Sequence, residues 1–385
     1  MAPAYYLGLM SGTSVDGVDA ALLAFERDLE GDRFDILGTL GRPHPPALRD
    51  AIATLCTPGG DGLDEAGRVD REVARAFADT ALALLERCGL SATRVAAIGS
   101  HGQTVRHRRG GDAPFTLQLG DPNTIAERTG ITTVADFRRR DIAAGGEGAP
   151  LAPAFHRACF SAAGRRRAIV NIGGIANATL LDGETLIAGF DTGPGNTLLD
   201  AWSLRHRGAA YDAGGAWGAE GTVIPALLEG ALSDAFFQRS GPRSTGREHF
   251  SEAWLDSLLA AVPDADPRDV QATLAALTAA GITRGLERAG FHADEVYVCG
   301  GGAHNDDLMR RLHRALGPAR LATTQALGLD PDWVEAAAFA WLARETLAGR
   351  PGNAPAVTGA AGPRVLGGIY PGGDGGRWLA PGKTG

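Results

Sequence analysis

Three places in the chain combine glycines, hydroxyls and carboxylates at spacings that suit anion chemistry. The first is Gly8-Leu9-Met10-Ser11-Gly12-Thr13-Ser14-Val15-Asp16-Gly17-Val18-Asp19. Its glycines let backbone N–H groups approach an anion, and the hydroxyls of Ser11, Thr13 and Ser14 add donors. The Asp16 carboxylate could hold Mg²⁺, directly or through water. An ordinary glycine-rich hairpin carries the same pattern, so both readings stand. The second is Ala188-Gly189-Phe190-Asp191-Thr192-Gly193-Pro194-Gly195-Asn196. Here a strand runs into a carboxylate, then a sharp turn, then a helix. Asp191 would sit at a strand's C-terminal edge, where open α/β sheets place ligands. It is the first choice for a catalytic base, against a plain turn-capping aspartate. The turn amides and the helix N-terminus would form a further anion site. The third place has two parts. Asn171–Asn177 encloses the pair Gly173-Gly174 and resembles another phosphate hairpin. Val298–Asn305 ends a strand in Gly300-Gly301-Gly302 and opens a helix at Asn305. Asn305 stands where a dinucleotide fingerprint needs its last glycine, so that fold is disfavoured. Three flat glycines suit the face of a purine and its ribose.

The elements needed to position these groups are legible as an α/β pattern. Apolar, β-branched runs occur at 5–10, 18–25, 34–40, 95–98, 115–119, 131–134, 168–172, 186–190, 296–299 and 320–322. Helical periodicity lies between them at 67–88, 197–205, 271–289, 305–316 and 331–348. Strands alternating with helices favour a mainly parallel or mixed sheet. A strand–turn–strand opening, echoed past the middle of the chain, suggests two similar halves around a cleft. No internal sequence repeat is visible. The stretch from Gly349 onward is rich in Gly and Pro, with 364–370 a candidate last strand.

Composition narrows the function. The chain has 385 residues, 44% hydrophobic and 21% charged, with a formal net charge of −8. These values suit a soluble globular protein of two domains, or one large one, and argue against a general nucleic-acid binder. No apolar stretch approaches a membrane span. The N-terminus lacks a basic signal-peptide region, so the cytoplasm is the expected location. The four cysteines are scattered without CxxC spacing and read as small buried hydrophobes. Lys383 is the single lysine, which excludes a Schiff-base lysine within the fold. A Walker A loop is not expected either, because Arg377 occupies the place of the first glycine before Gly382-Lys383-Thr384.

These segments bring a family into view. The chain resembles the anhydro-N-acetylmuramic acid kinases, within the acetate kinase–sugar kinase–Hsp70–actin superfamily. The resemblance rests on 8–19, Gly99-Ser100-His101-Gly102-Gln103-Thr104, Gln118–Pro122 and Val134–Asp141. It extends through 171–177, 189–196, Ser244-Thr245-Gly246-Arg247-Glu248, 299–305 and Glu335–Leu342. It implies a two-domain actin-like (ribonuclease H-like) α/β fold with a ligand cleft between domains. The expected division is 1–135, joined by 364–385, against 136–363. The resemblance carries ATP phosphate binding onto Gly12, Thr13, Ser14, Val15, Asp16, Gly17, Val18 and Asp19. The later loops at Gly173, Gly174, Gly300, Gly301, Gly302 and Asn305 join them as nucleotide contacts, with Mg²⁺ as companion ion and Asp16 its candidate ligand. It carries the catalytic base onto Asp191.

The implied substrate is 1,6-anhydro-N-acetylmuramic acid, and the implied products are N-acetylmuramate 6-phosphate and ADP. Asp191 would take a proton from water as the water attacks the anomeric carbon. The leaving O6 would capture the γ-phosphoryl group, the role an acid plays in an inverting glycosidase. The lactyl carboxylate calls for a cation. Arg138, in Asp136-Phe137-Arg138-Arg139-Arg140-Asp141, is the choice, against a run of solvated or internally paired arginines. Asp121 borders the sugar under the resemblance or is a plain turn residue. Glu335 is either a helix-dipole partner or a sugar-hydroxyl acceptor. His101 reads as a hydrogen-bonded structural histidine, and Arg165-Arg166-Arg167 as a solvated surface run. The family usually has Gln where this chain has Glu147. A homodimer is compatible with the resemblance, and no nucleic-acid or membrane partner is expected. Two other functions remain open: a kinase of a plain sugar hydroxyl, and a non-metabolic actin-like or Hsp70-like ATPase.

Overall fold

A computed structural model describes residues 3–26, 34–57, 59, 62–108, 111–238, 245–246 and 249–373. The chain forms two compact units. The first comprises residues up to Cys159 together with those from Glu335 onward, and the second is Phe160–Val334.

The first unit is built on a seven-stranded sheet. Its strands are β1 (Ala4–Ser11), β2 (Gly17–Phe25), β3 (Phe34–Pro43), β4 (Val95–Arg108), β5 (Phe115–Leu119), β6 (Thr133–Ala135) and, from the distal segment, β12 (Gly368–Tyr370). The order is β12-β6-β4-β1-β2-β3, with β5 paired to β4. β1, β2 and β3 form an antiparallel meander, while β4 runs parallel to β1 and β6 parallel to β4. The helix Leu63–Arg87 lays Val69, Val73, Phe77, Leu84 and Leu85 into the core on this sheet, at the spacing the sequence shows.

The second unit repeats the plan. Its strands are β7 (Arg166–Ile172), β8 (Ile175–Asp182), β9 (Thr185–Pro194), β10 (Glu295–Cys299) and β11 (Arg320–Thr323), in the order β11-β10-β7-β8-β9. The meander is again the first three strands, and β10 is parallel to β7 and to β11. Ranked within its own unit, the second sheet reads 3-2-1-4-5 and the first 3-2-1-4-6, its fifth strand being a hairpin partner of the fourth, so the two share the order 3-2-1-4 with a parallel strand beyond it. The expected α/β architecture with two similar halves is present as topology, although no repeat is readable in the residues.

The units divide at 159/160 and 334/335 rather than at 135/136 and 363/364. Two contacts explain the shift. The helix Val334–Leu347 lies directly on β1 and β4. A Cβ at Gly8 would fall 1.8 Å from the Ala336 carbonyl oxygen, and one at Gly99 would fall 1.9 Å from that of Phe339. Only glycine allows so close an approach. The fully buried Asp141 carboxylate then ties the helix Phe137–Ala143 to the distal segment. It accepts from Asn353 Nδ2 and Thr358 Oγ1, each at 2.8 Å, and from the Gly148 N–H at 2.9 Å.

Smaller expectations also change. The last strand is only Gly368–Tyr370. Only Cys299 of the four free cysteines is buried, and Cys56 is exposed. Arg167 is not solvated: it pairs with Glu295 at 2.7 Å, with both side chains largely covered. Lys383 and much of the 244–248 motif lie outside the described residues, which retain its Thr245 and Gly246. Among the described residues, no helix is long and apolar enough to cross a membrane.

Candidate active site

In the first unit, residues 12–16 form the tip between β1 and β2. Thr13, Ser14 and Asp16 are exposed, and Asp19 is exposed on β2. Val15 adopts φ +59°, a left-handed backbone that a β-branched residue rarely accepts. Its side chain is buried in the unit's core, which holds the conformation. A Cβ at Gly12 would meet nothing closer than Ser14 Oγ at 3.5 Å, so the chain itself leaves open space there. Gly17 differs: a Cβ would fall 2.3 Å from the Arg42 carbonyl oxygen, so the approach of β3 by itself requires glycine there. Ser11 also departs from expectation. Its hydroxyl is buried and directed inward, 2.7 Å from the Gly17 carbonyl oxygen and 2.6 Å from Gln103 Oε1. Ser14 Oγ donates to Asp16 Oδ1 at 2.6 Å, orienting an otherwise exposed carboxylate. That hard oxygen donor fits a divalent cation held partly through water. Among the described residues, no cluster of three or more His, Cys, Asp or Glu side chains stands ready for a metal.

The same unit holds a cavity of about 390 Å³ lined by Asp70, Asp121, Asp136, Arg139 and Tyr370, with His101 in its wall. Asp121 caps the helix Pro122–Thr129, accepting from the N–H groups of Asn123 and Thr124. Burial acts to raise its pKa, but the bonds from Thr124 and Asn123 outweigh it and hold the carboxyl below its usual range. Asp70 accepts from the Gly120 N–H at 2.6 Å, yet burial pushes its carboxyl up. Asp136 sits at φ +62° before the helix Phe137–Ala143. Burial raises its pKa against the influence of Arg139, which lies 3.4 Å away.

Arg138 is turned elsewhere. Its Nη2 and Nε lie 2.9 and 3.2 Å from His101 Nε2, and its Nη1 donates to the Gly148 carbonyl at 2.9 Å. A guanidinium only donates, so His101 Nε2 must be a bare acceptor and the ring neutral. Burial, reinforced by Arg138, drives the His101 pKa well down. Glu335, in the first turn of Val334–Leu347, feels burial that raises its carboxyl and the Arg138 charge that lowers it. His101, Arg138 and Glu335 therefore gather, and of the arginine run it is Arg139 that lines the cavity. Asp70, Tyr370 and the Arg138–His101 pairing carry no sequence signal of their own, while Arg139 was visible as part of the run.

In the second unit, Asp191 lies inside β9 rather than beyond its end. The pairing steps from Asn177↔Asp191 to Ala176↔Gly193, which leaves Thr192 as a bulge. Bulges re-aim neighbouring side chains and are frequent beside active sites. The Thr245 N–H donates to Asp191 Oδ2 at 2.8 Å, fixing the half-buried carboxylate. Gly193 is at φ +139° with a Cβ position 2.8 Å from the Phe237 ring, so only glycine fits.

The turn amides expected to take part in an anion site are engaged within the unit. The N–H groups of Gly195, Asn196 and Thr197 donate to the Gly174, Gly173 and Gly174 carbonyls at 2.9, 2.8 and 3.1 Å. The triple glycine packs over the β7–β8 hairpin. Cβ atoms at Gly300 and Gly302 would fall 2.3 Å from Asn171 Oδ1 and from the Ile172 side chain. Gly301 alone is exposed, with 3.5 Å to its nearest neighbour. Asn305 caps the helix Asp306–Leu316 by accepting from the Leu308 N–H at 2.9 Å. Gly173, Gly174, Gly301 and Asp191 thus share one end of the second sheet.

Comparison with known proteins gives the family. The family model described as anhydro-N-acetylmuramic acid kinase matches residues 4–372. A curated anhydro-N-acetylmuramic acid kinase of Pseudomonas putida is 51% identical over 370 residues, covering 96% of this chain and 99% of that one. One from Shewanella oneidensis is 49% identical over 371 residues, with coverage of 96% and 99%. Among solved structures, a ROK family glucokinase from Streptomyces griseus in complex with glucose and AMPPNP is 15% identical. It aligns over 89% of this chain and 100% of its own at a TM-score of 0.41.

Proposed function

The chain belongs to the anhydro-N-acetylmuramic acid kinase family, a family of kinases, and from that premise we propose that it opens 1,6-anhydro-N-acetylmuramic acid with water and phosphorylates O6 from ATP. Asp191 is the general base. It removes a proton from water, whose oxygen bonds to the anomeric carbon. The C1–O6 bond breaks, its electron pair goes to O6, and O6 takes the γ-phosphoryl group as ADP leaves. The products are N-acetylmuramate 6-phosphate and ADP. One carboxylate suffices because phosphoryl capture replaces the proton that an inverting glycosidase gives its leaving oxygen.

The observation that carries this reading is the Asp191 carboxylate on a bulged strand, with Oδ2 held by a backbone N–H. A base aimed in advance contributes about 10²–10⁴-fold. The exposed β1–β2 tip, with its open space at Gly12, is the reading's phosphate cradle, and Gly301 its purine platform. Asp16 would hold Mg²⁺, which when bound neutralises phosphoryl charge. Asp121 and Glu335 are the sugar-facing acids. Arg138 has two guanidinium nitrogens on His101 and a third on Gly148, and its charge acts on Glu335; a role for it toward the lactyl carboxylate would have to share these contacts.

The reading is tested by running the reaction in ¹⁸O water and quenching before the product's anomeric oxygen exchanges. The expected product carries one ¹⁸O on C1 and one phosphoryl group, formed in equal amounts with ADP. A phosphorylated sugar without ¹⁸O would make this a plain hydroxyl kinase. ATP turnover independent of any sugar would point to a non-metabolic ATPase.

A further inference from the structure

The β1–β2 tip is held from beneath by a polar relay that the reaction scheme does not use. Gln103, on β4, is fully buried. Its Oε1 accepts from Ser11 Oγ at 2.6 Å, and its Nε2 donates to the Gly12 carbonyl at 3.1 Å and the Thr104 carbonyl at 3.3 Å. His44, just past β3, is also buried. Its backbone N–H donates to the Asp16 carbonyl at 2.9 Å, and its ring Nε2 lies 3.2 Å from Ser11 Oγ. Ser11 Oγ in turn reaches the Gly17 carbonyl at 2.7 Å. Residues 11, 12 and 16 are therefore held by Gln103 of β4 and by His44 just past β3, and Ser11 ties Gly17 to them.

The proton arrangement follows from the donor inventory. Ser11 has one hydroxyl proton and faces two pure acceptors, Gln103 Oε1 and the Gly17 carbonyl. Nε2 of His44 must therefore donate to Ser11, which leaves Nδ1 a bare lone pair. Nδ1 has no hydrogen-bond partner, and a lone pair there is tolerated where an N–H would be orphaned. Burial lowers the His44 pKa against the Asp16 charge, in keeping with a neutral ring.

We infer that Gln103 and His44 are positioning residues for the anion-binding tip, fixing through Ser11 and Gly12 the backbone that meets the nucleotide phosphates. The inference rests on reading that tip as the phosphate site. A fully buried polar relay is not needed to fill a core. It acts on both ends of the tip, and the tip keeps Val15 in a conformation that persists only when its surroundings over-determine it. The exposed Thr13, Ser14 and Asp16 are left facing outward on a fixed frame.

The test is Gln103→Met in the full chain, which keeps length and removes both functions of the amide. The KM for ATP should rise about tenfold while the KM for the sugar stays within about twofold. His44→Phe, which keeps a ring and removes the bond to Ser11, should raise the ATP KM about threefold. It decides the matter if Gln103→Met does not fold. A fall in melting temperature with both KM values unchanged would overturn the inference and leave the relay purely structural. Gly12→Val separates the two levels. If it weakens ATP binding while Gln103→Met and His44→Phe do not, the positioning claim fails alone. If Gly12→Val leaves ATP binding unchanged in a folded protein, the phosphate-tip reading fails with it.

Discussion

The β1–β2 and β7–β8 hairpins occupy the same place in two sheets that share the strand order 3-2-1-4, yet their glycines do different work. The first tip spans five residues, with two hydroxyls and a carboxylate exposed and open space around Gly12. The second is a bare Gly173-Gly174 pair whose carbonyls accept three N–H bonds from residues 195–197. A Cβ at Gly195 would fall 2.3 Å from the Gly173 carbonyl oxygen. The lesson is that glycine marks close approach without saying of what. At the first tip the described chain does not crowd Gly12, and we read that space as the phosphate site. Around the second, the approaching group is mainly the protein's own backbone.

The difference can be broken by substitution. The largest effect is expected at Gly195→Ala, where a methyl must enter backbone. Stability should fall by about 3 kcal/mol or more in urea unfolding, and a loss under about 1 kcal/mol would deny the tight docking of turn on hairpin. Next is Gly12→Val. It should raise the ATP dissociation constant about tenfold, or about 1.4 kcal/mol, with stability within about 0.5 kcal/mol. Calorimetry checks the first figure and thermal unfolding the second. The smallest effect belongs to Gly173→Ala, whose Cβ would meet only the Ile175 carbonyl oxygen at 3.7 Å. Stability should change by no more than about 1 kcal/mol, and ATP affinity by less than about threefold. A folded Gly173→Ala protein with ATP affinity lowered as far as in Gly12→Val would make the two tips equivalent and erase the contrast.

Much of this was legible in the residues. The alternating runs marked most of the strands, and the long apolar stripe from Val69 to Leu85 marked the main helix of the first unit. The loops at 12–19, 173–174, 191–196 and 300–302 were all visible as glycine clusters. What the sequence could not show is which atoms use each loop. Gly17, Gly195, Gly300 and Gly302 face their own chain, and that depends on strands up to about 130 residues away. The arginine run was visible, but the turn that sends Arg138 to His101 and Arg139 to the cavity depends on helix phase at Asp136. The domain division was misplaced because its cause is long-range. Glycines on β1 and β4 admit a helix more than 200 residues later, and nothing local announces it.

The central claim is that Asp191 removes the proton from water, and Asp191→Asn tests it most directly. Asparagine can still accept the Thr245 N–H through its amide oxygen, so the bulge and the fold should persist. Turnover of ATP and anhydro sugar should fall at least about 10²-fold, with ATP affinity within about twofold of the parent. A folded Asp191→Asn protein that turns over at near the parent rate would contradict the claim and remove Asp191 from the chemistry.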